Sequence, residues 1–411
     1  MLKVKVKPED FIVEEVADLP LQKDGDFCVY WLKKRGWNTV DVLKNLSKKH
    51  SLPYTDLAYG GKKDKYALTS QFITIARHCL SQIPSAPAQS QLHKGKDGEA
   101  NKGAPQEICE ENYSLRLVGY MNRPMGPDLI TGNKFQIAVR NLTGQELQPA
   151  LTEIEQVKRD GYPNYFDDQR FGSFDARQGF IAEKVLKKHY NGALKIYFSS
   201  IHPEDSKEEK EHRRYFYEHW GNWQACLKGA TGKFEKETFR YLEKHPKGFI
   251  PILQRISHEK MVLFFSAYQS HLWNEVLRKT IRLTCNDNVR ISKGIAGDYF
   301  LYTQLDDKNK AYLSGLAIPM PASNIRMPDT QTEALYSEVL KENDLKLSLF
   351  NIRKIRQAFF KGIERKATVT PEDLSFDYTD DEIYQGKKKL VLKFFLPRGC
   401  YGTMFIKRLF C

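Results

Sequence analysis

Strand-forming runs stand at both ends of this chain of 411 residues, and its clearest helix lies between them. Residues 2–6 alternate apolar and charged side chains with period two, as a half-buried strand does, and Pro8 stops them. Phe27–Leu32 and Phe72–Ala76 read as further strands, with a turn at Arg35-Gly36, and Phe135–Arg140 as another. Near the other end, Lys389–Leu396 and Met404–Ile406 read as strands joined through Pro397-Arg398-Gly399. Between them, Val262–Lys279 puts Tyr268, Leu272 and Val276 on one helical face. A sheet needs one continuous apolar face, so strands split between the two ends imply one sheet domain interrupted by an insertion. The expected fold class is α+β, with a sheet domain from residues 1–160 and 346–411 and an inserted α+β domain from 161–345. The first junction is set by a helical pattern over Glu153–Arg159 that stops at Gly161-Tyr162-Pro163.

Two further segments have a definite character. Thr39–Lys49 carries Val40, Leu43 and Leu46 on one face, and Asn38 or Thr39 can cap it as a helix. Residues 84–107 are poor in apolar side chains and rich in Pro, Ser, Gln, Gly and Lys, which predicts a mobile loop that a short linker can replace. A charge run over residues 203–214 reads as a solvated helix face or loop.

The formal net charge of +13 favours a polyanionic partner, nucleic acid before an anionic membrane. Seven cysteines without a C-x-x-C pair argue against a disulfide framework and a structural zinc site, so a reducing cytoplasm is the expected location. No apolar run approaches the ~20 residues of a membrane-spanning helix. The phosphate-binding loop, the dinucleotide fingerprint and the H-E-x-x-H zinc motif are all missing from the sequence.

The densest chemical signal is Gly60-Gly61-Lys62-Lys63-Asp64-Lys65, just ahead of the Phe72–Ala76 run. Paired glycines permit turn conformations closed to other residues, and neighbouring ammonium groups favour an ionised carboxylate. By turn chemistry alone a solvated turn is the better reading. The longer pattern decides between them: Gly61, Lys63, Asp64, Ala67, Thr69 and Gln71 fit G-x-K-D-x-x-A-x-T-x-Q, which resembles the signature of the TruD family of tRNA pseudouridine synthases. Five more segments resemble the family in its own order: residues 8–15, Gly132-Asn133-x-Phe135, residues 164–172, residues 265–274 and residues 396–404. The chain departs from the pattern at Asp167, where the family has Gly, at Cys400 for Ser and at Gly402 for Ala.

The resemblance implies a pseudouridine-synthase-like, mixed but mainly antiparallel sheet as the catalytic domain, facing the inserted domain across a basic cleft. It implies isomerisation of a uridine in tRNA to pseudouridine, at position 13 of the D arm for the bacterial type. The glycosidic bond breaks, the base turns, and C5 joins the same sugar carbon, so no metal or organic cofactor is required. Asp64 is then the catalytic residue, acting on C1′ or C2′ of the ribose, and Lys5 is the lysine that keeps it ionised. Phe11, Asn133 and Phe135 match pocket positions, with Lys63 beside Asp64 and Tyr401 as further substrate-binding candidates. Without the resemblance, Lys5 reads as an edge-strand lysine, the two phenylalanines as core and Asn133 as a turn residue. A monomer is expected. The alternative from another class is a catalytically silent RNA-binding protein or RNA chaperone.

Overall fold

The structure, a computed structural model, describes residues 2–82, 104–286, 288–352, 355 and 360–411. The chain divides into two compact units, Met1–Lys158 with Thr370–Gly402 and Arg159–Val369 with Thr403–Cys411. The architecture is α+β, with one large, mainly antiparallel sheet and no closed barrel among the described residues.

The first unit holds that sheet. Its strands are β1 (Lys3–Val4), β2 (Phe11–Ala17), β3 (Phe27–Arg35), β4 (Leu57–Tyr59), β5 (Leu68–Ala76), β6 (Glu107–Cys109), β7 (Tyr113–Met121) and β8 (Ile130–Leu142). Helix α1 (Thr39–Lys49) follows β3, and α2 (Gly144–Asp160) follows β8. Among the described residues only β2 and β5 pair in parallel. The two-residue β1 ends early because Lys5 turns left-handed, at φ 62°, so the period-two run of residues 2–6 is not one strand. Val42, Leu43 and Leu46 of α1 are fully buried with Tyr30 and Leu32 of β3 and Ile73 and Ile75 of β5. Residues 84–103 of the segment expected to be a loop lie outside the described residues. Its end is ordered: the Pro105 carbonyl accepts from the buried Tyr30 hydroxyl at 3.0 Å, and Glu107 opens β6.

The second unit contains β9 (Tyr162–Pro163), helices α3 (Ile181–Leu186), α4 (Tyr190–Ser199), α5 (Lys207–His219), α6 (Trp223–Gly229), α7 (Lys233–Lys244) and α8 (Phe249–Leu253), and the long α9 (His258–Cys285). Then come β10 (Val289–Ser292), β11 (Tyr299–Tyr302), α10 (Asp307–Gly315), β12 (Ala317–Pro319), α11 (Thr330–Glu342), β13 (Glu364–Lys366) and β14 (Thr368–Val369). The charge run leads into the first half of α5, which is opened by a Ser206/Glu209 capping box and anchored by buried Phe216. The three rings of Phe198, Phe216 and Phe239 meet at 4.9–6.3 Å between centroids.

The chain re-enters the first unit at Thr370, later than residue 346, because β13 pairs with β12 and β14 with β9. Strands β15 (Glu372–Asp380) and β16 (Lys388–Pro397) then complete the sheet in the order β15-β16-β8-β2-β5-β3-β7-β6. The last segment is a correction to the sequence reading. Met404–Ile406 is no strand but the middle of helix α12 (Gly402–Phe410). Thr403, Lys407 and Phe410 keep some exposure while the positions between them are buried, a period of 3.6 that three residues are too few to reveal.

Candidate active site

Register places the site. Directly paired residues share a sheet face, and the pairs Val13↔Phe135, Glu15↔Asn133, Val13↔Thr69, Lys34↔Thr69 and Phe135↔Phe394 put all of them on one side. The loop from β4 to β5 carries Asp64 to this face. Its glycines act differently from the sequence expectation: neither has a positive φ. Gly60 is needed for close approach, since a Cβ there would stand 2.5 Å from Ile130 and 2.9 Å from the Gly126 carbonyl.

Three buried groups clamp the loop. Gln71, fully buried on β5, donates from Nε2 to the Gly61 carbonyl at 2.9 Å. Its Oε1 accepts from the Thr39 hydroxyl at 2.7 Å, and that hydroxyl accepts from the Lys63 N–H at 3.0 Å. From beneath, the Lys34 ammonium donates to the carbonyls of Trp37 at 2.6 Å, Asp64 at 2.8 Å and Lys63 at 3.4 Å. A helix start, a mid-strand amide and a strand-end lysine thus fix the main chain on both sides of Asp64.

The Asp64 carboxylate accepts from the Lys5 ammonium and, at 2.9 Å, from the Tyr66 N–H. Burial opposes its ionisation. The hydrogen bond and charge of Lys5, the Tyr66 N–H and the charge of Lys34 outweigh that, holding the carboxyl below the usual carboxylate range. Lys5 reaches it because the left-handed turn leaves β1 there, and the ammonium lies 4.3 Å from the Phe11 ring centroid. Such a backbone costs on the order of 1–3 kcal/mol, offset here by the ion pair. Asp64 keeps 21% of its side-chain surface exposed, enough for an incoming group to touch it.

Lys63 is a bracket rather than a free cation. Its ammonium lies 2.8 Å from Glu15 Oε2 and donates to Asn133 Oδ1 at 2.6 Å, leaving the Asn133 amide N–H groups for other acceptors. Phe11 and Phe135 are both buried and meet edge-to-face at 6.3 Å, and Phe135 stacks on Phe394 at 5.3 Å. They form the wall beside Lys5, packed as core residues in the free protein. Tyr401 is half-buried on the turn before α12, one residue from Gly402, where a Cβ would come 3.1 Å from the Phe135 ring.

The sequence reading missed Glu15, Lys34 and Arg140. Glu15 alternates with Phe11 and Val13, which was the available signal for its face. Its side chain is fully buried. Arg140 donates to Asp10 at 2.8 Å, Asp381 at 3.0 Å and Glu382 at 2.8 Å, pinning the turn at Lys7–Asp10 just beyond Lys5. In the second unit, Asn274 holds the Phe166 N–H and carbonyl at 2.9 and 2.8 Å, and Ser270 accepts from Arg170 at 3.1 Å. The departure at Asp167 is compensated, since that buried carboxylate pairs with Lys407 at 2.6 Å. Among the described residues one donor set is close enough to share a metal: Asp56, His78 and Cys79, at the opposite end of β5 from Asp64. There the Cys79 thiol donates to Asp56 at 3.1 Å, and burial pushes that thiol up to about 11.

Residues 2–409 match the family model described as tRNA pseudouridine synthase D (TruD). The chain is 28% identical over 414 residues to a tRNA pseudouridine synthase D of Leptospira interrogans, covering 99% of this chain and 95% of that one. It is 26% identical to that of Aquifex aeolicus, with 100% and 98% coverage. A Methanosarcina mazei crystal structure assigned as a tRNA pseudouridine synthase D (TruD) matches with a TM-score of 0.69 at 22% identity, over 99% of this chain and 93% of that one, a likeness of fold. The sheet face, the clamped Asp64 loop and the whole-length match agree: the chain belongs to the tRNA pseudouridine synthase D (TruD) family.

Proposed function

We propose that this chain converts a uridine of tRNA to pseudouridine, at position 13 of the D arm, with Asp64 as the residue that acts on the ribose. The observation carrying the reading is the Asp64–Lys5 pair: a carboxylate kept ionised by a cation, braced through its own main chain and still partly exposed. Only the ionised form can attack C1′ or accept the C2′ proton. The Asn133 amide, oriented by Lys63, offers a donor to a base turned out of its stack. On this reading Phe11, Phe135 and Tyr401 are the rings that would meet that base. The isomerisation conserves all atoms and electrons, so it requires no metal or organic cofactor, and the reading takes the chain as a monomer. The cytoplasm, where tRNA matures, is its place of work.

The test is Asp64→Asn, which keeps the shape and removes the charge. Pseudouridine formation in transcribed tRNA should fall to background while RNA affinity stays within about twofold of the parent. Turnover by the purified variant would refute the assignment. Unmodified tRNA from both the variant and the parent would leave an RNA-binding protein in its place.

A further inference from the structure

Lys34 does something the proposed chemistry does not yet use. It is 1% exposed, near the end of β3, and its three acceptors are main-chain carbonyls of Trp37, Lys63 and Asp64. A buried lysine ordinarily neutralises itself or faces a carboxylate. Among the described residues no carboxylate oxygen lies within ion-pair distance of this one. An ammonium has three N–H donors and meets three carbonyls; a neutral amine has two and would leave one carbonyl facing its lone pair.

We propose that Lys34 is a positioning residue for the reaction at Asp64: its ammonium ties both peptide carbonyls of the Lys63-Asp64 pair to the floor of the sheet, so that the loop holds the carboxylate in place only while Lys34 carries its proton. This rests on the reading of Asp64 given above. Burial lowers Lys34 from the usual lysine range to about 8, the Asp64 charge resists that shift, and Lys63 adds to it. Those are the charged groups that bear on it. Lys63 is itself held by Glu15, and Asp64 by Lys5. As pH rises through about 8, Lys34 loses its proton. One tether is released, and a positive charge beside the reacting carboxylate disappears. The turnover number should fall with the fraction of protonated Lys34, while contacts to RNA outside the loop persist.

The experiment measures single-turnover pseudouridine formation in transcribed tRNA by the full chain, and RNA affinity in parallel, from about pH 6.5 to about 9. For the parent, the rate should drop roughly tenfold between neutral pH and the alkaline end, with affinity flat. Lys34→Met should be slow at every pH, by one to two orders of magnitude, with no alkaline limb left. Lys34→Arg, whose guanidinium does not titrate in this range, should keep part of the rate and also lose the limb. A flat parent profile overturns the proposal even if neither variant folds. So does an alkaline limb that survives in Lys34→Met or Lys34→Arg. Parent protein that makes no pseudouridine at any pH removes the functional reading as well. Product formation with a flat profile removes only this one.

Discussion

The Glu15–Lys63 pair lends itself to a double-mutant experiment in which stability and activity part company. Glu15 is fully buried in its side chain and Lys63 is 9% exposed, at 2.8 Å from each other. Removing one member of such a pair leaves an uncompensated buried charge and costs about 3–5 kcal/mol. Glu15 also accepts from the Phe72 N–H at 3.1 Å, and orphaning that donor costs about 1–3 kcal/mol more. Glu15→Met should therefore destabilise by about 4 kcal/mol at the low end of both terms. For a cooperative unit of this size, 1 kcal/mol corresponds to about 2–4 °C, which gives a Tm loss of about 8–16 °C. Lys63→Met should cost a similar amount, since it strands the buried Glu15 carboxylate. The double variant exchanges the whole pair for apolar side chains of similar volume, a change that is often neutral or stabilising. Most of the loss should then be recovered, leaving the double variant more stable than either single one. Activity should not follow, because Asn133 Oδ1 has lost the donor that orients its amide. The assays are urea denaturation and single-turnover pseudouridine formation on the four chains. A double variant as unstable as the two singles added together would refute the pairing argument. One restored to the parent's rate would show that the hold of Lys63 on Asn133 is not what the site needs.

Lys5→Met should lower turnover far more than RNA affinity and move the acid limb of the pH–rate profile upward. Its partner's carboxyl is held low by Lys5 against burial, so the ionised form persists at neutral pH and is lost as pH falls through the folded value. An unchanged limb would return Lys5 to the role of an edge-strand lysine. His271, held by burial at about 4, is neutral when folded, whereas the unfolded chain protonates near the ordinary 6.5. Stability should thus decline on acidification between those values by up to about 3 kcal/mol, and urea denaturation of His271→Gln should lose that decline. Equal acid sensitivity in both chains would exclude His271 as the titrating group. With a net charge of +13, RNA affinity should follow salt with a log–log slope of about −3 to −7, measured by filter binding, and a flat response would contradict phosphate contacts as its source.

What could be read from the chain differed by kind of feature. Helix α1 was predicted over Thr39–Lys49 and has those limits because its apolar periodicity is local, although no side chain caps its start. Strands β5 and β8 were found but cut short: β8 runs from Ile130 to Leu142, its Thr131–Asn133 portion disguised by Gly132. That glycine is there because a Cβ would stand 2.3 Å from the Phe395 ring across the β16 pairing, a reason that lies 263 residues away. Shorter separations, 70 residues from Lys63 to Asn133 and 30 from Lys34 to Asp64, were enough to hide the bracket at Lys63 and the buried Lys34. Each is an ordinary lysine in sequence, and its partners are chosen by sheet register. Asp64 was legible through a motif, yet the motif does not say why Gln71 belongs to it. The hydrogen bonds to Gly61 and Thr39 do.

The late arrival of β16 has a consequence for how such a chain is born. β8 pairs with β2 on one edge and with β16 on the other, and β16 ends 255 residues after β8 does. At roughly 5–20 residues per second, a ribosome takes on the order of 10–50 s to bridge that gap. Throughout it, the 13 residues of β8 present an open row of amide and carbonyl groups, with Phe135 uncovered by Phe394. Long-range pairing of this kind is also intrinsically slow to form. Nascent chains are therefore the most vulnerable population of this protein. A product stopped short of residue 388 should be found in the insoluble fraction, paired edge to edge with its own kind, rather than in solution as a weak enzyme.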